Sequence, residues 1–108
     1  TQLTTRGASG IICGSDLMAL GVIRGARHAG LDVPRGLSVV GFDGSAMTEH
    51  TSPPLTTVRQ NVPALADGAV DTLLDQIRGL AAAAPCAREL VLAPDLVVRA
   101  STGPPPVR

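Results

Sequence analysis

The chain has 108 residues and a net charge of zero, its basic residues being all Arg, so it offers no attractive field to a phosphate backbone and is not by itself a nucleic-acid-binding surface. Phe42 is its single aromatic residue; burial must rest on Leu, Val, Ile and Ala, which makes for a thin core of the kind expected of part of a larger protein. No apolar run is long enough to cross a membrane as a helix, and neither Met nor a signal-like stretch opens the chain, so coding sequence is expected upstream of Thr1.

The first element is predicted over residues 8–14, Ala-Ser-Gly-Ile-Ile-Cys-Gly, a short apolar run closed by glycine that suits a strand buried on both faces. Ser15 or Asp16 then caps a helix of about four turns. Its apolar residues Leu17, Met18, Leu20, Val22, Ile23, Ala26 and Ala29 recur at helical spacing. Arg24, Arg27 and His28 meet the negative end of its dipole, and Gly30 stops it, with Leu31 folding back. After the turn through Pro34 and Gly36, Leu37-Ser38-Val39-Val40-Gly41-Phe42 forms a second strand. Strand, helix and strand in this order make a right-handed crossover unit of a parallel sheet, with Ser15 and Asp43 side by side at the carboxyl ends, where open α/β sheets hold their ligands.

Residues 44–55 lack periodicity and end in Pro53-Pro54, and residues 55–60 make another short extended piece. Asn61 caps a second long helix that tolerates Pro63 in its first turn. Val62, Leu65, Ala66, Ala69, Val70, Leu73, Leu74 and Ile77 form its expected buried stripe, and Gly79 ends it. Gly68 weakens the interior of this helix unless close packing requires it. Residues 80–85 are a loop, residues 90–93 resume extended structure, residues 96–98 make a further short strand, and the Pro-rich tail from Ser101 is loose.

Nothing here points to catalysis. His28 and His50 have no Cys or carboxylate at metal spacing, and no Gly-x-Ser-x-Gly elbow is present. The glycines before Ser15 do not make a phosphate-cradling loop. Cys13 and Cys86 sit in apolar runs and read as free buried thiols, a disulfide being the alternative. No enzyme and no cofactor are therefore expected. The residue that stands out is Asp43, a carboxylate at a strand end that can accept hydrogen bonds from ligand hydroxyls or cap the following turn.

Four ordered segments carry a resemblance. They are Gly14-Ser15-Asp16-Leu17-Met18-Ala19-Leu20-Gly21, Gly30-Leu31-Asp32-Val33-Pro34, Leu37 through Gly41-Phe42-Asp43, and Ser52-Pro53-Pro54-Leu55-Thr56-Thr57-Val58-Arg59-Gln60. With the closing Arg99-Ala100-Ser101-Thr102, they resemble the lactose and galactose repressor family of transcriptional regulators over nearly the whole chain. The most specific stretch is residues 53–60. The resemblance implies an α/β, three-layer periplasmic-binding-protein-like (type I) sensor domain, present only as its C-terminal portion, with parallel strands and two long helices. It places residues 1–56 in the C-terminal lobe and makes Thr57, Val58, Arg59, Gln60 and Asn61 a hinge crossing. Residues 62–85 would pack on the N-terminal lobe, and residues 86–108 would return.

By the same resemblance Asp43 contacts ligand hydroxyls, and Ser15 takes the place where the family most often has a ligand-contacting Asn. Val62 stands where some relatives present an aromatic ring, and Gly44 replaces a second Asp found in many regulators. Leu17, Met18 and Leu20, with Met47, Thr48, His50 and Thr51, are the candidates for a homodimer contact. The expected effector is a sugar or sugar derivative ahead of a purine. Operator DNA would be met through an N-terminal headpiece that this chain does not contain, and the protein would be cytoplasmic with no membrane partner. An extracytoplasmic sugar-binding protein serving transport is the alternative, favoured by Gly44 and opposed by residues 53–58.

Overall fold

The computed structural model describes residues 6–79 and 89–105. The predicted loop at residues 80–85, Cys86, and the last three residues of the tail lie outside the described residues. The chain divides into two compact units, one made of Thr1–Gln60 with Asp95–Arg108 and the other of Asn61–Pro94.

In the first unit, strand β1 (Gly10–Ile12), helix α1 (Asp16–His28) and strand β2 (Ser38–Asp43) form the expected crossover unit, followed by a short 3₁₀ turn (Ala46–Glu49), strand β3 (Thr56–Arg59) and strand β4 (Asp95–Val97). The sheet order is β1-β2-β3-β4. β1 pairs parallel with β2 from Gly10↔Ser38 to Ile12↔Val40. β2 pairs parallel with β3 from Val40↔Thr56 to Asp43↔Arg59, so the carboxyl ends of β1, β2 and β3 share one edge. β4 runs antiparallel, with Arg59 opposite Asp95, which makes the sheet mixed rather than wholly parallel.

Local chemistry explains the helix ends. The Ser15 hydroxyl accepts the Met18 amide at 3.2 Å, so Ser15 is the cap and Asp16 the first helical residue. At the other end Gly30 has φ +71°, its amide bonds the Arg27 carbonyl, and the Leu31 amide reaches back to Ala26 at 2.9 Å. That left-handed stop satisfies carbonyls the helix leaves open and lets Leu31 pack on the core.

The core consists of Cys13, Ala19, Ile23, Ala26, Leu37, Val39 and Leu55. Leu17 and Met18 are exposed, Ala29 lies at the surface, and the buried positions of α1 are Asp16, Ala19, Ile23 and Ala26. The reason is proximity: a Cβ on Gly41 of β2 would stand only 3.3 Å from the Asp16 Cα, so the start of α1 lies too close to the sheet for large side chains between them. Cys13 is free and buried, and burial pushes its thiol pKa up from the ordinary value.

The C-terminal Arg-x-Ser-Thr segment is firmly tied, contrary to the expected loose tail. Ser101 is fully buried; its hydroxyl donates to the Val39 carbonyl at 2.6 Å and accepts the Thr56 amide at 2.8 Å, while its own carbonyl accepts the Val39 amide. The Arg99 guanidinium donates to Thr48 Oγ1, the Leu55 carbonyl and Glu49, joining the end of the chain to the 3₁₀ turn.

The second unit holds helix α2 (Val62–Ile77), capped by the Asn61 side chain on the Ala64 amide at 3.2 Å and ended before Gly79 at φ +69°. Its expected buried stripe is not buried: α2 has no buried residue, and Ile77 is 71% exposed. Gly68 has its reason, because a Cβ there would collide with the Leu90 side chain. The extended structure expected at residues 90–93 does not form a strand.

Candidate ligand site at the carboxyl edge of the sheet

Because β1, β2 and β3 run in one direction, whatever follows each of them meets at one edge. After β1 comes the Gly14-Ser15 turn into α1, β2 ends at Asp43, and β3 ends at Arg59 with Gln60 beyond. Asp43 is exposed, and its backbone has φ 115°, the one non-glycine residue with positive φ among those described. A side chain in that region costs roughly 1–3 kcal/mol and persists only where its surroundings enforce it.

Gln60, the residue after β3, enforces it. Its amide nitrogen Nε2 donates to Asp43 Oδ1 at 3.2 Å, and its backbone N–H donates to the Asp43 carbonyl at 3.3 Å. Gly44 follows with φ +77°, where a Cβ would strike the Arg59 side chain and come within 2.8 Å of the Arg59 Cα. The close approach of β3 and the turn therefore leaves no room for a side chain at position 44. Arg59 makes a loose, exposed ion pair with Asp95 at 3.6 Å, worth little by itself.

Ser15 lies on the same edge, but its hydroxyl oxygen is occupied by the Met18 amide. It retains a proton to donate. Thr57, Val58 and Arg59 are part of β3 rather than of a loop, and the passage from the first unit to the second falls between Gln60 and Asn61. Val62 belongs to the second unit, where it is 61% exposed. Of the residues considered for subunit contact, Leu17, Met18 and Met47 are exposed and Leu20 is half-buried. His50 is exposed and makes no part of a metal cluster among the described residues. Thr48 has 0% exposure and accepts from Arg99, so it is internal and cannot touch a partner directly. Thr51 is half-buried, its hydroxyl bonded to the Thr48 and Pro53 carbonyls.

Sequence reasoning missed the buried pair beneath this edge. The Asp16 carboxylate accepts the Ser45 amide at 2.7 Å and the Thr57 hydroxyl at 2.5 Å. Asp16 stood out only as a helix-start acid, and the sole further signal was a glycine, Gly41, inside the strand. What the edge offers chemically is the exposed Asp43 carboxylate with the Gln60 side-chain amide, the Ser15 hydroxyl, and the Arg59 guanidinium loosely paired with the exposed Asp95 carboxylate; these are groups for hydrogen-bonding a polar molecule.

The fold is of the periplasmic-binding type, and the periplasmic binding protein-like domain family matches residues 2–102. The HTH-type transcriptional regulator MalR of Streptomyces coelicolor is 52% identical over 106 residues, spanning 98% of this chain and 30% of that protein. Crystal structures of a LacI family transcriptional regulator from Arthrobacter sp. FB24 in complex with lactose and of the lac repressor dimer bound to operator and the anti-inducer ONPF each superpose with TM-score 0.80. They are 31% and 34% identical to this chain, and each covers 94% of it. The chain corresponds to 38% and 35% of those two chains respectively, so it spans about a third of such regulators. It belongs to the LacI/GalR regulator family and matches the C-terminal portion of its periplasmic-binding-protein-like sensor domain.

Proposed function

We propose that this chain is the effector-sensing and dimerisation portion of a DNA-binding transcriptional regulator whose effector is a sugar or sugar derivative. The observation that carries the reading is Asp43. It is exposed at the carboxyl edge of the sheet, in a backbone conformation that has a cost, with its carboxylate steadied by Gln60. A carboxylate held this way accepts two hydroxyls of a neutral ligand without the ordering cost a free side chain would bear. The lactose complex of the Arthrobacter regulator supports the ligand class, and the regulator relatives support transcription control over transport or catalysis.

The mechanism follows from the position of Gln60. It directly follows β3, bonds Asp43, and directly precedes the passage into the second unit. A ligand engaging Asp43 changes DNA affinity only to the extent that it binds two arrangements of the complete regulator with different affinity. The exposed apolar residues Leu17, Met18 and Met47 are the surface for a second copy, in keeping with the dimeric lac repressor, and the operator is met by a part of the regulator outside this chain. Such a protein works in the cytoplasm.

Titration calorimetry of the complete protein with lactose, cellobiose and ribose tests the reading. Asp43→Ala weakens sugar binding by about tenfold or more, the size of one lost charge-assisted hydrogen bond. An unchanged dissociation constant, or no saturable binding of any of the three sugars to the native protein, overturns it.

A further inference from the structure

Asp16 is 1% exposed, and it is the only buried acidic residue among those described. It is fully engaged: Ser45 N–H donates to one oxygen at 2.7 Å and the Thr57 hydroxyl to the other at 2.5 Å. The Thr57 oxygen in turn accepts the Gly44 amide at 3.3 Å. Two successive amides directly after Asp43 are thus held by one carboxylate and one hydroxyl. They are the amides of a turn in which Asp43 and Gly44 both have positive φ. Gly41 supplies the room, since any side chain there would occupy the space of the Asp16 carboxylate. None of the described buried side-chain polar atoms is left without a partner.

The cluster joins three elements. Asp16 starts α1, Ser45 follows β2, and Thr57 lies in β3, the strand that ends at Arg59 just before Gln60. We propose that Asp16 and Thr57 are positioning residues for effector recognition, fixing the Gly44–Ser45 amides and thereby the orientation of Asp43, and tying that orientation to β3. The proposal rests on the reading of Asp43 as the ligand-contacting carboxylate. A buried carboxylate is costly to keep unless its bonds are complete, and here their completion is what locks the turn. Any displacement of β3 that stretched the Thr57 bonds would loosen the Gly44 amide, so strand position and ligand affinity are coupled through two side chains that need not touch the ligand.

The test uses the complete protein without ligand, comparing Thr57→Val, Thr57→Ser and Asp16→Asn with the native chain by amide hydrogen exchange. Thr57→Val removes the hydroxyl at nearly constant volume, and Thr57→Ser keeps it. Exchange at Gly44 and Ser45 is expected to rise about tenfold in Thr57→Val and several-fold in Asp16→Asn, with α1 amides unchanged and Thr57→Ser close to native. Lactose affinity should fall with Thr57→Val and recover with Thr57→Ser. Unchanged exchange at these two amides overturns the proposal, and so does an equal rise throughout α1 and β2, which would mark general destabilisation. Local loosening with undiminished sugar affinity, where Asp43→Ala abolishes binding, removes the positioning role and leaves the ligand site standing. An Asp43→Ala variant that binds normally removes the site reading itself, and with it the proposal.

Discussion

Gly41→Ala is the sharpest probe of how α1 meets the sheet. The added Cβ would collide with Asp16 Oδ1 and lie 3.0 Å from Leu55 Cδ2 and 3.3 Å from Asp16 Cα. The Cα cannot rotate away, and the carboxylate can leave only by giving up Ser45 or Thr57. Overpacking of this kind costs about 1–3 kcal/mol, and unmaking a buried bond to a charged group about 1.5–3 kcal/mol more. The stiffer unfolded chain returns about 0.4–1 kcal/mol. The expected net loss is about 2–5 kcal/mol, a large part of the stability of an ordinary domain. Gly10→Ala in β1 is the internal control, because its Cβ would meet nothing nearer than Ser38 at 3.9 Å. That substitution should change stability by no more than about 1 kcal/mol. Urea unfolding of the complete protein, followed by circular dichroism with the slope held common, measures both. If the two variants fall within about 1 kcal/mol of each other, the close approach of α1 to β2 is wrong. Adding Asp16→Ala to Gly41→Ala should relieve part of the penalty, giving a double variant more stable than the sum of the two single losses.

Two further outcomes concern the closing segment. Ser101→Ala leaves the Thr56 amide and the Val39 carbonyl unmet in a buried setting and should cost about 1–3 kcal/mol by urea unfolding; a loss within error would show that the segment is not part of the folded sheet. Arg99→Ala should cost about 2–4 kcal/mol, whereas Glu49→Ala should cost under about 1 kcal/mol, because the Glu49 partner is largely exposed and the Thr48 and Leu55 bonds persist without it. Equal losses in these two variants would assign the work to the surface ion pair instead.

The order strand, helix, strand, the caps at Ser15 and Asn61, the glycine stops at Gly30 and Gly79, and the strand-end position of Asp43 were all legible in the sequence. Each depends on residues within a few positions of one another, where hydrogen bonds at helix ends and steric limits on φ act locally. The face that α1 buries is only partly legible: Asp16, Ala19, Ile23 and Ala26 follow helical spacing, Leu17 and Met18 stand roughly 120–140° around the helix from Ile23, and the nearness of β2 makes the first stripe the buried one. The stripe of α2 was likewise a sound amphipathic pattern that the described residues leave uncovered.

The polar framework belongs wholly to the tertiary structure. Asp16 and Thr57 are 41 residues apart, and the Ser101 hydroxyl reaches Val39 across 62. No local spacing pairs such groups. They meet because the parallel register sets Gly41 beside Thr57 and brings the start of α1 over both, and that register is chosen by the packing of the sheet and core as a whole. The sequence by itself determined the elements and the residue that offers a carboxylate at the sheet edge. The tertiary structure decided which groups hold the turn after that carboxylate, because burial turns otherwise ordinary Asp and Thr side chains into groups that must find partners.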